Sequence, residues 1–490
     1  MMNYNDLKLF SKEELIEMVP EGFTWKTEPW KHQISAFLAS ISEPGFLCAL
    51  DLGTGKTKVS IDYCRFLDDN RGNIRALVIC MNSAVENVRD EVNIHSDLTA
   101  QCLRGPSSDK MDILNEGANF NIINYEGLRA LLTEKVSIDG LKNKKQVISS
   151  KAVDRFMKVG NFDAMIIDES HLVKTPKSLN FKLAKKIGMK TPRRLLLTGT
   201  PFGNSLLDIW AQYFLVDFGE TFDTAISRFR AAYFKDKGWF GPDWRVTKDG
   251  EKAIQSKLFS KAIRYKEDEV DDLPEKVFRV KAFNLSTEQR KVYNDLTDNI
   301  YDERTDAIGS KYNAFRTIAS GFIKSSEYLF KTNPKLELLS DLIDEVVDRH
   351  KVVIFTEFII SHDIICKMLK KKKIKYCHVS GKTKNNHEQV IRFQKDPSYR
   401  IMVANRKSGG SSINLFAATY MVNYELGGSI IEYKQSIKRI HRGGQKFRCF
   451  FYTLLGKSTL EMGMYKNLQN GVDAFNRIVD PKKFVEGKDE

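Results

Sequence analysis

The sequence predicts an α/β protein, with two parallel-sheet domains in tandem and a small helical insertion between them, and two series of short apolar runs carry that prediction. The first series is Gly45–Leu50, Ala76–Cys80, Asn121–Tyr125, Ala164–Asp168 and Leu195–Thr198. The second is Lys351–Phe355, Lys375–Val379, Arg400–Ala404, Tyr420–Tyr424 and Arg448–Tyr452. Amphipathic stretches separate the runs. Strands that are apolar along their whole length are buried on both faces, as in a parallel sheet covered by helices.

Between the two series, residues from about 215 to 330 are rich in aromatic and charged side chains at helical spacing, with few strand-like runs, which predicts an insertion and connector. The expected division is an N-terminal extension at 1–24, a first sheet domain at 25–213, insertion and connector at 214–330, a second sheet domain at 331–460 and a C-terminal tail or helix at 461–490. Apolar residues in Leu336–Val347 recur every three or four positions, the mark of an amphipathic helix leading into the second sheet.

At 490 residues, with 42% hydrophobic and 29% charged content, the chain exceeds one ordinary domain and has globular composition. Its formal charge of +14 favours polyanionic partners. Seven cysteines lack a CxxC pair, so neither a zinc site nor a disulfide framework is indicated. No apolar run approaches the ~20 residues that span a bilayer, and no basic region followed by an apolar core opens the chain. A cytoplasmic protein, bacterial or in a host cell, without membrane contact is expected.

The turn Leu52-Gly-Thr-Gly-Lys-Thr57 follows an apolar run and precedes a helix expected to start near Lys58. Strand, glycine turn and helix start are the setting of a phosphate loop. Gly53 and Gly55, flanking Thr54, let backbone N–H groups converge on phosphate oxygens; Lys56 neutralises them and the Thr57 hydroxyl can ligate Mg²⁺. Leu50 stands at the first glycine position of the strict pattern.

Asp168 and Glu169 end an apolar strand, which carries both carboxylates to the carboxyl edge of a sheet, where α/β proteins bind ligands. Asp168 is suited to hold Mg²⁺, partly through water, and Glu169 to polarise an attacking water. Much later, in Gln435-Ser-Ile-Lys-Arg-Ile-His-Arg-Gly-Gly-Gln445, Arg439 and Arg442 are three residues apart, a spacing that places both on one helical face and suits a γ-phosphate grip.

Taken in order, these motifs resemble the Swi/Snf-type ATPases of helicase superfamily two. Leu77–Ser83 with Glu86–Glu91 is similar to motif Ia, Ile123–Arg129 to motif Ib, and Leu196–Pro201 with Asn204–Trp210 to motif III and its helix. Val353–Phe358 resembles motif IV, Val379–Thr383 the glycine turn after the next strand, Gly409–Leu415 motif V, and the His-Arg-x-Gly-Gln ending motif VI. The resemblance runs from about Gln33 to about Leu455.

It implies two RecA-like domains, ATP and Mg²⁺ as cofactors, and a DNA partner, duplex or branched, served by a monomer. Gln33, Asn414 and Gln435 would join the phosphate loop in binding ATP. His171, Thr198, Gly199 and Thr200 would couple the nucleotide to the DNA path. Ser83, Tyr125, Thr356, Gly381, Thr383, Gly409 and Gly410 would lie along the DNA, where backbone contacts position without specifying sequence. His32 stands before Gln33 where the family often has an aromatic residue.

The function so implied is a DNA translocase. The alternatives are a helicase that separates strands or remodels forks and branches in replication, recombination or repair, an ATP-gated DNA-binding switch with little turnover, and an RNA motor. With about 30 residues before Gln33 and about 35 after Leu455, a bare motor of phage or prokaryotic type is expected. Two features carry simpler explanations: the aromatic turn Gly238–Trp244 as local packing, and Lys370–Lys373 as a solvated helix end.

Overall fold

The computed structural model describes residues 3–469 except 52, 138–143, 200–205, 239–243, 267–268, 271–272, 299–307, 327, 382, 384, 407–412 and 443. It divides into two compact units, Met1–Asp272 and Leu273–Glu490.

The first unit is built on a seven-stranded sheet: β1 (Gly45–Leu50), β2 (Ala76–Cys80), β3 (Ala100–Cys102), β4 (Phe120–Asn124), β5 (Ala164–Ile167), β6 (Arg193–Thr198) and β7 (Ala262–Tyr265). The order is β7-β1-β6-β5-β2-β4-β3, with every pairing parallel. Successive residues enter opposite cores. Val78, Ile122, Ile166 and Leu195 pack on one side of the sheet, and Ile79, Ile123, Ile167 and Leu196 on the other. The apolar runs are therefore double-faced, each buried side chain stabilising by about 1.5–3 kcal/mol. Gly45 admits the helix Ile209–Asp217: a Cβ there would stand 1.9 Å from the Val216 carbonyl oxygen.

The second unit carries six strands: β8 (Lys276–Phe283), β9 (Val352–Thr356), β10 (Tyr376–Val379), β11 (Ile401–Asn405), β12 (Tyr420–Asn423) and β13 (Cys449–Gly456). Their order is β8-β13-β12-β9-β11-β10, again all parallel. Helix Pro334–Val346 covers one face of this sheet. Lys335, fully buried at its start, pairs with Glu461 at the start of helix Leu460–Gln469.

The interval 214–330 differs from the helical connector expected of it. Four of its residues form β7 in the first sheet and eight form β8 in the second, so the division between units falls inside it. Both strands are sheet edges with one neighbour. Edge strand β8 is broken by Lys276, Arg279 and Lys281 and leaves Phe278 and Val280 exposed, so no continuous apolar run betrays it. A hairpin pairs Phe234–Asp236 with Trp244–Val246. Trp244 packs against the first unit's core with the Arg230 guanidinium 5.5 Å from its ring, which is local packing; Trp239 lies outside the described residues. Lys370 and Lys371 occupy the last turn of helix Ile359–Lys371, a favourable end for cations. Among the described residues no helix is long and apolar enough to cross a membrane.

Candidate nucleotide site and arginine turn

Strand order sets the parts of a phosphate site side by side at the carboxyl edge of the first sheet. The glycine turn follows β1, the acidic pair follows β5, and β6 lies between them. Turn and acidic pair are thus two strand spacings apart, about 10 Å, with Thr198 and Gly199 at the end of the intervening strand.

The helix after the turn begins at Lys56 itself, two residues before Lys58, because Gly55 takes the left-handed conformation at its cap. Gly53 and Gly55 have φ of +86° and +78°. A Cβ on Gly55 would stand 2.2 Å from Gln33 Nε2, so glycine is required by conformation and by space. Thr54 is fully buried and its Oγ1 donates to the Asp51 carbonyl at 2.6 Å. The Thr54 carbonyl in turn accepts from His32 Nε2 at 2.7 Å and from Gln33 Nε2 at 3.3 Å.

Carbonyl and following N–H point opposite ways in a trans peptide. Two donors on the Thr54 carbonyl therefore aim the Gly55 N–H away from helix Lys31–Ser42. The helix Lys56–Arg71 has no side-chain cap at its start, which leaves its first N–H groups for an anion. Gln33 also accepts from the Trp30 N–H at 2.9 Å, so it is a brace for the turn as well as an expected ATP contact. Lys56 Nζ spans the turn, donating to the carbonyls of Leu50 (3.0 Å) and Asp51 (3.4 Å). Thr57 is half-buried in the first helical turn.

Asp168 continues β5, its N–H donating to the Ile79 carbonyl at 2.9 Å. Tyr125 donates its hydroxyl to the Asp168 carbonyl at 2.7 Å. Glu169 lies in the left-handed region at φ 51°, a strain of about 1–3 kcal/mol for a residue other than glycine. Ser170 Oγ donates to Gln212 Oε1 at 2.7 Å, both buried, and fixes the turn that follows. His171 Nδ1 lies 3.2 Å from Glu169 Oε2. Burial and the neighbouring Glu169 charge push the Asp168 carboxyl up to about 7, with Lys56 pulling the other way. Two crowded carboxylates beside a phosphate loop suit a divalent cation, which relieves that repulsion.

This shift has a pH signature. Folded Asp168 keeps a proton that the unfolded chain has lost between about pH 4 and 7, so its contribution to stability falls as pH rises through that window. Without nucleotide or metal, Asp168→Asn is expected to be more stable than the parent by on the order of 1–3 kcal/mol at pH 8 and nearly equal at pH 4. Denaturant titrations at the two pH values measure this; a gap independent of pH contradicts it.

In the second unit Arg439 and Arg442 are not on one helical face. Helix Ile430–Ile437 stops at the Lys438 cap and both arginines lie in the turns that follow. The turn outcompetes a longer helix because its backbone is held from outside: Leu415 N–H donates to the Arg439 carbonyl at 2.9 Å, and His441 Nε2 contacts the Pro274 carbonyl at 2.6 Å. Gln445, buried, donates Nε2 to the carbonyls of Phe416 (2.9 Å) and Ala418 (2.8 Å) and lies 3.2 Å from that of Ile440. Gln435 is half-buried on the preceding helix, and Asn414 Oδ1 accepts from Phe416 N–H at 3.4 Å.

Of the residues expected along DNA, Ser83 is exposed in the turn after β2, and Gly381 is exposed in the turn after β10, where Thr383 Oγ1 accepts from Ser380 N–H at 3.2 Å. Two others are buried. Tyr125 opens helix Tyr125–Leu132, its Asn124 cap turning the ring into the core, and its hydroxyl is committed to Asp168. Thr356 ends β9 fully buried. Leu52, Thr200, Gly409 and Gly410 lie outside the described residues. Tyr125 as a support of Asp168, His32 as a brace, and Gln212 were missed; each bond joins residues distant in sequence, and none of the three has a local pattern.

Comparison with known proteins supplies the family. Residues 23–333 match the SNF2-related domain and 334–444 the helicase conserved C-terminal domain. A Drosophila melanogaster protein described as the homolog of SWI/SNF-related matrix-associated actin-dependent regulator of chromatin subfamily A containing DEAD/H box 1 is 24% identical, over 90% of this chain and 58% of its own length. An uncharacterized ATP-dependent helicase of Mycoplasma genitalium is 28% identical, over 61% of this chain and 29% of its own length. The chain therefore spans under two thirds of both relatives. Among solved structures, the Sulfolobus solfataricus SWI2/SNF2 ATPase core in complex with dsDNA is 20% identical with a TM-score of 0.43, over 95% of this chain and 98% of that one. With most of its length matched by one family model, this two-sheet α/β chain belongs to the SNF2-related family and carries a helicase conserved C-terminal domain.

Proposed function

We propose that the protein is an ATP-hydrolysing motor that moves along duplex DNA. The observation that carries this reading is the pairing, across one strand, of a braced phosphate turn with two crowded carboxylates at the same sheet edge. Uncapped helix amides, Gly53, Gly55 and Lys56 hold the phosphates, and Gln33 reads the base. Thr57 and Asp168 hold Mg²⁺, which when bound neutralises charge developing on the transferred phosphoryl group. Glu169, bent into the left-handed region beside His171, orients and deprotonates the attacking water. Arg439 and Arg442 serve the γ-phosphate during the cycle. Thr198 and Gly199 relay the state of the site to Ser83, Gly381 and Thr383 along the DNA.

Basic charge and exposed turns at sheet edges support a polyanionic track. The test is steady-state ATP hydrolysis with duplex DNA, single-stranded DNA and RNA in parallel. Duplex DNA is expected to stimulate most, by about tenfold or more over protein alone. Equal stimulation by RNA, or none by any of the three, overturns the reading.

A further inference from the structure

One buried charged group of the second unit has no part in the site described above. Arg406 follows β11 directly and is buried, and both terminal nitrogens of its guanidinium are hydrogen-bonded. Nη1 donates to Ser436 Oγ at 2.7 Å, Nη2 to Asn423 Oδ1 at 2.9 Å and to the Glu425 carbonyl at 3.1 Å, and Nε lies 3.8 Å from Glu357 Oε2. Its own N–H donates to the Thr356 carbonyl at 2.9 Å. One side chain thus gathers the carboxyl ends of β9, β11 and β12 and the last turn of helix Ile430–Ile437.

The surroundings are built for it. Gly427 leaves room for its stem, since a Cβ there would stand 3.2 Å from Arg406 Cδ. Glu425 faces the other way, accepting from Glu357 N–H (2.8 Å), Phe358 N–H (3.2 Å) and Ser361 Oγ at the start of helix Ile359–Lys371. An apolar side chain could seal the strand ends without the cost of burying a charge. The charge instead reaches one particular atom, Ser436 Oγ. That hydroxyl donates to the Tyr433 carbonyl at 2.7 Å, and the Ser436 carbonyl accepts the Arg439 N–H at 3.2 Å. A continuous path therefore runs from Arg406 through Ser436 to the backbone of Arg439.

We propose that Arg406 is a positioning residue for ATP turnover, which through Ser436 fixes where the turn bearing Arg439 and Arg442 leaves its helix. This rests on the role given above to those arginines. Loosening the anchor lets the guanidinium forks wander, which reduces transition-state stabilisation more than ground-state binding.

Ser436→Ala removes the anchor's acceptor while leaving Arg406 bonded to Asn423 and Glu425, so it tests the link without emptying the site. In the full chain with duplex DNA, kcat is expected to fall about tenfold, with KM for ATP within about twofold of the parent and the chain still fully folded at the assay temperature. Arg406→Lys, which cannot span the same acceptors, should lose a similar factor alone and little more in the Ser436→Ala background. Unchanged kcat in Ser436→Ala, or a fall in midpoint that accounts for the lost rate, overturns the proposal. Arg442→Ala separates the two readings. If it destroys turnover while Ser436→Ala is silent, only the positioning role fails; if it turns over normally, the arginine role fails and this proposal with it.

Discussion

Glu169→Gln is expected to lower DNA-stimulated ATP hydrolysis by about a thousandfold while leaving ATP binding intact, the size of effect associated with loss of a general base. The substitution keeps the side-chain length and the left-handed backbone at φ 51°, so the strained turn need not change. It removes the Glu169 charge that, together with burial, holds the Asp168 carboxyl up, leaving Asp168 more readily ionised and the metal position at least as good. Binding and turnover should therefore separate. A fluorescent nucleotide titration beside a coupled ATPase assay measures both; turnover within tenfold of the parent removes Glu169 from the chemistry.

The second large effect is expected at the arginine turn. Arg442→Ala should reduce kcat by about a thousandfold, at the low end of what an arginine supplied to a phosphoryl transition state contributes, with KM for ATP changed only a few-fold. Arg442→Lys should not restore the rate, because a point charge cannot reproduce the two-pronged guanidinium geometry. The turn is held independently of that side chain, by the bond from Leu415 to Arg439 and by Gln445, so the fold should survive. A KM effect as large as the kcat effect would make Arg442 a binding residue instead.

The sheets were legible because parallel strands buried on both faces leave apolar runs such as Ala76–Cys80 and Val352–Thr356 that polar segments punctuate. The edge strands were not. β7 is four residues long, and three cations interrupt β8, so both were submerged in a connector. The same division applies to the site. Gly53, Gly55, Lys56, Asp168 and Glu169 are contiguous motifs whose chemistry demands their spacing.

Burial of Tyr125 and Thr356 was not legible, because a motif fixes the position of a residue along the chain but not the direction of its side chain. One capping bond at Asn124 turns the first inward, and the strand's double-faced burial encloses the second. The arginine turn shows the converse. Three-residue spacing fits a helix, but bonds from Leu415, His441 and Gln445 stabilise a turn that no local propensity announces.

Movement along duplex DNA driven by ATP is measured by displacement of a triplex-forming third strand from a linear duplex. The third strand is expected to be released when ATP and Mg²⁺ are present, with a lag that grows with the length of duplex between the entry end and the triplex, and Glu169→Gln is expected to release none. Stimulated ATP hydrolysis without third-strand release, or release independent of duplex length, would contradict it.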